Sequence, residues 1–158
     1  RTSRLIEMKS PLKRRQLLKQ SAAAVSVLCL PVKTWASRQD RLQEAIESRF
    51  GPAIRAQDRV ALKIPALTEN GYSVPVEIRV DSPMTSDDYV QAIGLFAEEN
   101  PISEIAWMEL TPESGRAHVK TRIRLAGSQH VVAAAKMNDG RVFEARVFAI
   151  VTLAACVI

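Results

Sequence analysis

Apolar and polar residues change their spacing once along the chain, close to residue 60. Upstream of this point apolar residues recur at intervals of four, at Leu42, Ile46 and Phe50. An interval of four places side chains on one face of a helix, and the Gly51-Pro52 pair that follows is typical of a helix end. The pattern therefore predicts a short helix from Asp40 to Phe50.

From Val60 onward the period is two, which is typical of β-strands. Residues 74–80 alternate valine or isoleucine with polar residues and Pro75, which predicts a half-buried strand with an edge position at the proline. Residues 118–125 alternate in the same way. Residues 131–137 are apolar on both faces apart from one lysine, as expected of a central strand, and residues 142–153 form the longest extended stretch.

Turn signals separate these segments, and Asn138-Asp139-Gly140 is the strongest because Asp-Gly is typical of a hairpin connection. About seven short strands over about 100 residues predict an all-β fold, an immunoglobulin-like β-sandwich of about seven strands with a short N-terminal helix and without the disulfide of that fold. Residues 87–97 stay open, because Ser86-Asp87-Asp88 resembles a helix cap and the segment can begin as a helical turn.

Residues 1–36 have the features of an export signal. A basic start precedes an apolar stretch, and small residues precede a predicted cleavage site near Ser37. Arg14 and Arg15 lie in the sequence Lys-Arg-Arg-Gln-Leu-Leu-Lys, which resembles a twin-arginine signal, the address of a pathway that carries folded proteins. The alternative is an ordinary secretory signal, in which consecutive arginines also precede an apolar run. We expect no stable membrane span, because the apolar stretch is short and interrupted.

The predicted organisation follows from this leader. Met8 is a candidate for the true start, with residues 1–7 an upstream artefact and the signal peptide ending at residue 36. The sandwich domain is predicted over residues 37–151, and residues 152–158 are predicted to form a C-terminal arm. The leader holds 8 of the 22 Lys and Arg residues and one of the 17 Asp and Glu residues, which leaves 14 basic and 16 acidic side chains. The basic balance of the whole chain therefore belongs to the leader and does not indicate nucleic-acid binding.

The chain has two cysteines, and export removes one of them, Cys29. Cys156, third from the C-terminus, is then a lone cysteine in a protein predicted to work in the bacterial periplasm, an oxidising compartment. Without an internal partner it is a free thiol, an intermolecular bridge or a buried bystander. Its place near the chain end makes burial the less favoured of these.

The remaining chemistry is sparse. His118 and His130 are too few for a metal site and lack a neighbouring ligand at the right spacing. No phosphate-binding loop, nucleophile elbow or cofactor fingerprint is present, so we expect no cofactor and no independent enzyme. The stripe of His118, Lys120, Arg122 and Arg124 on one strand face is a candidate contact for an anionic ligand or an acidic partner. A solvated sheet face explains the stripe at least as well and is the favoured interpretation.

The chain carries more large apolar residues than one core face needs, and the last two predicted strands are apolar on both sides. The large residues are Trp107, Met108, Phe143, Phe148 and Ile150. A strand that is apolar on both sides must have its second face covered. We therefore expect the opposite sheet or another protein to cover it.

Three features together resemble the SoxY family, the carrier subunits of the bacterial thiosulfate-oxidising system. They are the twin-arginine leader, the extended segment Pro-Val-Glu-Ile-Arg-Val-Asp-Ser-Pro-Met at residues 75–84, and a final strand that leads to a cysteine third from the C-terminus. The resemblance implies an immunoglobulin-like sandwich that pairs with SoxZ, a similar sandwich exported with it as a folded heterodimer. It also implies that Cys156 holds sulfur intermediates covalently, that the SoxXA cytochrome loads it, that SoxB hydrolyses terminal sulfate, and that a sulfane dehydrogenase oxidises the residual sulfur.

The ending departs from the family pattern. The usual ending is Gly-Gly-Cys-Gly-Gly, whereas here Ala154, Ala155, Val157 and Ile158 frame Cys156. Alanine and β-branched residues restrict the backbone more than glycine does, so we expect a stiffer and bulkier arm. Two interpretations follow: a variant SoxY with matching partners, or a SoxY-like carrier of another periplasmic sulfur or redox pathway.

The sequence therefore predicts a noncatalytic periplasmic sulfur carrier, with Cys156 as the attachment site and residues 152–158 as its arm. The alternative from another class is a periplasmic immunoglobulin-like binding or assembly module. In that case the cysteine is structural or forms an intersubunit disulfide.

Overall fold

A computed structural model describes residues 38–52 and 55–155 of the chain. The described part contains one helix, α1 (Arg38–Phe50), nine strands and a short 3-10 turn (Pro112–Ser114). The strands are β1 (Arg55–Ala56), β2 (Val60–Lys63), β3 (Leu67–Asn70), β4 (Val74–Val80), β5 (Val90–Ala97), β6 (Glu104–Glu109), β7 (His118–Ile123), β8 (Gln129–Met137) and β9 (Val142–Leu153). The predicted export signal, including Arg14 and Arg15, lies outside the described residues.

The strands form two sheets. The larger has the order β1-β9-β8-β5-β6, with β3 also pairing with β9, and the smaller has the order β2-β4-β7. One apolar core contains buried residues from both sheets, for example Val74 and Ile78 from the smaller and Ile93, Leu95 and Val131 from the larger. The predicted β-sandwich is confirmed.

Most of the predicted elements are confirmed. The helix buries Leu42, Ile46 and Phe50, and β8 lies between β5 and β9 as a central strand. The Asp-Gly hairpin also forms: Gly140 has a φ of 87°, and the Met137 N–H donates to the Arg141 carbonyl at 2.9 Å. Positive φ at this position suits glycine, which explains why the dipeptide identified the turn.

The structure answers the question that the sequence left open for residues 87–97, and it gives the exact strand count. Residues 90–97 form strand β5 and do not begin as a helix. Strand β5 is buried at seven of its eight positions, and a buried strand on both faces lacks the alternation that identifies strands in sequence. The strand count is nine in the described residues, because β1 has only two residues and β3 only four. Pro75 does adjoin a local edge, because β2 pairs with β4 only from Glu77 to Val80.

Helix α1 covers part of the second face of the larger sheet. Its three buried side chains pack with Phe96, Val132, Ala134 and Val142 in a second, smaller core. Gly94 permits this approach, because a Cβ at this position would lie 3.1 Å from the Phe50 ring and 2.6 Å from the Phe96 ring. At this place the chain's own helix covers the second face of the larger sheet. The expected cover, the opposite sheet or another protein, is not what lies there.

The apolar residues singled out in the sequence have different positions. Phe143 is buried, and Met108 packs partly buried against the sandwich core. The Trp107 ring lies 5.1 Å from the Phe50 ring, and the Arg49 guanidinium lies 5.0 Å over it. Phe148 and Ile150 stay exposed, at 49% and 47%. Only the last two are available to another protein.

Truncating the helix contact should destabilise the domain. We expect Ile46→Ala to lower the free energy of unfolding by about 2–5 kcal/mol, because it removes a buried side chain and leaves a cavity under the helix. Urea denaturation measures the change. Glu44→Ala, on the exposed face of the same helix, is the matched control and should stay within about 0.5 kcal/mol. Equal effects of the two variants would show that the helix does not pack as described.

Candidate functional site

The candidate attachment site is approached by the last strand. Cys156, Val157 and Ile158 lie outside the described residues, as does Cys29. The structure therefore defines the route of the chain as far as Ala155, the residue directly before the cysteine. What it contributes to the site is the way in which that route is fixed.

Strand β9 extends into the stretch predicted as an arm. Thr152 and Leu153 are its last two residues, and Leu153 pairs with Asn70 of the parallel strand β3. Ala154 is exposed, whereas Ala155 is 5% exposed. The sandwich thus continues through the first part of residues 152–158, because backbone pairing satisfies N–H and C=O groups there.

Three backbone hydrogen bonds join Gly71, Leu125 and the end of the chain. The Gly71 N–H donates to the Leu153 carbonyl at 2.8 Å, and the Leu125 N–H donates to the Gly71 carbonyl at 2.9 Å. The Ala155 N–H donates to the Leu125 carbonyl at 3.0 Å. Leu125 itself is fully buried. We call these three backbone segments the clamp, since they hold both sides of Ala154.

Gly71 is required for this close approach. An added Cβ would lie 2.5 Å from the Leu125 oxygen, 2.9 Å from the Ala155 nitrogen and 3.0 Å from the Leu153 oxygen. All three atoms belong to the backbone, so none can turn away as a side chain would. Any residue other than glycine would therefore push at least one segment of the clamp out of place.

A buried polar pair supports the Leu125 segment. The Asn100 side chain accepts from the Ala126 N–H and donates to the Arg124 carbonyl, both at 3.0 Å. Gln129, 1% exposed, donates to the Asn100 side-chain oxygen at 3.0 Å and to the Gly127 carbonyl at 3.2 Å. Buried amides of this kind are retained only when they are hydrogen-bonded, so they fix the loop that they serve.

The predicted basic stripe is exposed along the smaller sheet. With residues of the neighbouring strands it forms a surface that we call the cationic face: Lys63, Arg79, Lys120, Arg122 and Arg124. Glu77 is the carboxylate between them, in register with Lys63 on one side and Lys120 on the other. Lys63 and Lys120 form no salt bridge within the described ranges. The face therefore has an excess of positive charge.

Glu77 forms its side-chain contacts with residues at one end of the cationic face. It accepts hydrogen bonds from Arg79, at 2.7 Å from the Nε atom, and shares a contact of 2.9 Å with His118 Nε2. The Arg79 guanidinium holds the pKa of Glu77 below its usual value, and the His118 contact adds to the effect. Glu77 is thus ionised at neutral pH, and its carboxylate pairs with the Arg79 guanidinium.

A groove of about 600 Å³ lies on the cationic face. Its walls include Lys63, Pro75, Glu77, Lys120 and Arg122. Arg122 is oriented by Ser73, which accepts from Nε at 2.6 Å through its hydroxyl and from an Nη atom at 3.2 Å through its carbonyl. Ser73 is two residues from Gly71, so this end of the groove adjoins the clamp along the chain.

The second candidate surface is apolar. Leu67, Phe148 and Ile150 are 58%, 49% and 47% exposed, and we call them the apolar patch. Leu67 pairs with Ile150 in register, and the Phe148 ring lies 5.0 Å from the His130 ring. Because side chains alternate along β9, Phe148 and Ile150 lie on the same sheet face as Val142, which α1 covers. On β9 the patch is separated from Val142 by the polar residues Glu144 and Arg146 of the same face.

The two histidines lie at different surfaces, His118 at the cationic face and His130 beside the apolar patch. His118 contacts Glu77, and His130 contacts Glu98 at 2.8 Å through Nδ1. Within residues 38–52 and 55–155, no three His, Cys, Asp or Glu side chains form a group that could hold a metal ion. No helix of the described part has the length and apolar content of a membrane span.

The fold and the residues that follow it define the class of this protein. It is a small β-sandwich domain in which a cysteine follows shortly after the last strand. The sequence model of the family "Sulfur oxidation protein SoxY" matches residues 46–156, which include Cys156. The chain belongs to the SoxY family. This membership supports a role as a carrier in sulfur oxidation.

Solved structures agree with this assignment. The sulfur carrier protein SoxY from Chlorobium limicola f thiosulfatophilum is similar with a TM-score of 0.61 and 25% identity, over 73% of this chain and 99% of that one. The superoxide reductase (neelaredoxin) from Ignicoccus hospitalis is similar with a TM-score of 0.53 and 18% identity, over 59% and 80% of the two chains. The second likeness is one of fold alone. A search of curated proteins finds no match.

The sequence did not identify the clamp. In the sequence, Asn70-Gly71 indicates only a turn. The hydrogen-bond partners of Gly71 lie more than 50 and more than 80 residues away along the chain. Asn100 and Gln129 carried no local signal beyond the turn at Asn100-Pro101. Their role depends on long-range contacts.

Proposed function

We propose that the protein is a noncatalytic periplasmic carrier that holds sulfur intermediates covalently on the Cys156 thiol and presents them to partner enzymes. The observation that carries the proposal is the SoxY family match, which extends as far as Cys156. Ala154, Ala155, Val157 and Ile158 frame the thiol. Export by the twin-arginine pathway through Arg14 and Arg15 is part of the same proposal.

The chemistry of the thiol fits a carrier. A cysteine thiol has a reference pKa of roughly 8.5, so only a few per cent is thiolate near neutrality unless a neighbour activates it. No cationic side chain hydrogen-bonds to the described residues of the tail, Thr152 to Ala155. Activation would then be supplied by the enzyme that loads the thiol, as expected of a substrate-carrying subunit.

We propose the apolar patch as the surface that binds a SoxZ-like subunit. A contiguous exposed apolar surface on a small domain is typical of an interaction site. The patch continues the face on which α1 already packs, and it includes an aromatic ring, the kind of side chain that anchors interfaces. Its place on β9 and β3 puts it on the two strands that lead to the clamp.

We propose the cationic face as the docking surface for an acidic region of a partner enzyme of the SoxXA, SoxB or sulfane dehydrogenase type. Glu77, the carboxylate within this face, pairs with Arg79. The positive charges of Lys63, Lys120 and Arg122 are therefore available to a partner. Charge complementarity of this kind accelerates association and sets orientation. The groove end that adjoins the clamp would bring such a partner towards the thiol.

Removal of the thiol should abolish sulfur carriage. We expect protein purified from cells exposed to thiosulfate to carry reducible mass additions of sulfur or thiosulfate on Cys156, and Cys156→Ser to carry none, because a hydroxyl cannot form these adducts. Intact-protein mass spectrometry before and after reduction measures this. Cys29→Ala is the control and should keep the additions. An unmodified thiol that resists alkylation, or a disulfide-linked dimer, would favour the binding or assembly module instead.

A charge in the apolar patch should weaken the heterodimer. We expect Phe148→Asp to lower the affinity for a SoxZ-like subunit by roughly 30-fold or more, the effect of losing an aromatic anchor. Isothermal titration calorimetry with the purified subunit measures it. Ile102→Asp changes an exposed apolar residue that lies outside the patch and should leave affinity unchanged. Equal losses in both variants would contradict the assignment of the patch.

Charge reversal on the cationic face should slow enzyme association. We expect Lys120→Glu to reduce the association rate with the loading enzyme several-fold at low salt, and the difference from the unmodified protein to shrink as salt screens the charges. Stopped-flow kinetics at two ionic strengths measures both effects. Arg41→Glu, on the exposed side of α1, makes the same charge change as a control. An effect on thiosulfate binding alone would assign the face to a small anion and overturn the proposal of an enzyme dock.

A further inference from the structure

The clamp determines where the carrier arm begins. A residue belongs to an arm only if its backbone is free of the domain, and backbone hydrogen bonds on both sides of Ala154 tie that residue to the sandwich. Ala155 is the last described residue, and its N–H donates the last of these bonds. We infer that Gly71 and Leu125 are positioning residues that hold the chain on the sandwich as far as Ala155, so that the arm that carries Cys156 begins no earlier than this residue.

This inference rests on the proposed function for its purpose, but its structural basis is independent. The three hydrogen bonds of the clamp join backbone atoms that are 3.0 Å apart or closer, and a Cβ at Gly71 has no space. Exposed segments joined by one hydrogen bond open readily, whereas this segment is bonded to two different loops. Leu125 and Ala155 are also buried, which adds an apolar contribution to closure.

The polar pair behind the clamp makes it rigid. Asn100 and Gln129 hold the carbonyl of Arg124, the N–H of Ala126 and the carbonyl of Gly127. These groups lie on both sides of Leu125 in the chain. The Leu125 carbonyl, which accepts from Ala155, therefore has little freedom to follow the tail if the tail moves.

A fixed starting point for the arm limits how far the thiol can reach from the sandwich. Consecutive Cα atoms are about 3.8 Å apart, so Cys156 starts about that distance from the buried Ala155. An arm that began at Thr152 would reach roughly 13 Å instead. With the clamp closed, a partner enzyme must approach the end of the sandwich formed by Gly71 and Leu125 to reach the thiol. Opening of the clamp would lengthen the arm.

Gly71→Ala tests the clamp, with Gly127→Ala as its matched control. A Cβ at Gly127 meets nothing within 4 Å, although Gly127 lies in the loop next to Leu125. Amide hydrogen exchange is measured by NMR on the full chain carrying Cys29→Ala. In the parent we expect the Ala155 and Leu125 amides to be protected. We expect Gly71→Ala to speed their exchange by roughly tenfold, the effect of losing a hydrogen bond of ordinary strength, and Gly127→Ala to leave it unchanged.

A second readout tests positioning rather than stability. A nitroxide on Cys156 should broaden amide signals most strongly around Gly71 and Leu125 in the parent and in Gly127→Ala. In Gly71→Ala the broadening should spread over a wider surface, while the exchange of core amides such as that of Val132 stays unchanged. A variant that merely loses stability would instead speed exchange throughout the core.

If Gly71→Ala does not fold, Ala155→Pro decides the question, because it removes the donor to Leu125 at the end of the described chain. Ala154→Pro is its control, since the Ala154 N–H has no hydrogen bond within the described ranges. An unprotected Ala155 amide in the parent, or equal effects of the variant and its control, overturns the clamp. A protected amide on a protein whose thiol carries no sulfur overturns the carrier proposal and leaves the clamp standing.

Discussion

The arrangement of the domain depends on the pairing of β9 along both of its edges. Its 12 residues pair with β8 over most of their length on one side, and with β1 and then β3 on the other. Residues 142–149 pair with β8, whereas the last residues of β9, from Ile150 onward, pair with β3 alone. Backbone pairing satisfies N–H and C=O groups, so β3 holds the end of the last strand, the segment that leads towards Cys156.

This pairing separates the surfaces on which a carrier acts. Helix α1 covers the start of the outer face of β9, and the apolar patch occupies the end of that face. The cationic face belongs to the smaller sheet, across the core from both. Under the proposed function, a structural partner and successive enzymes would then bind the same domain at once without competing.

The sequence predicted the elements whose signal is local. The helix, strand β4, central strand β8 and the Asp-Gly hairpin follow from apolar spacing and turn chemistry within a few residues. The segment of strand β5 stayed open in the sequence because its burial on both faces removes the period of two. The cover provided by α1 was missed because it requires the pairing order of the sheet. For the candidate site, the exposed basic stripe was visible in the alternation along β7, whereas the clamp joins residues 71, 125 and 155, which no local pattern connects.

The alanines before the cysteine fit the clamp in physical terms. The usual ending of the family has glycines at these positions. Alanine loses less backbone entropy than glycine when it is held in one conformation, and the difference is about 0.4–1 kcal/mol at a compatible site. The Ala155 methyl group is buried, so it adds apolar contact that glycine would not supply. Both effects favour the closed clamp over a free tail. Under the proposed function, a closed clamp would leave fewer free backbone positions before Cys156 than a glycine-rich tail would.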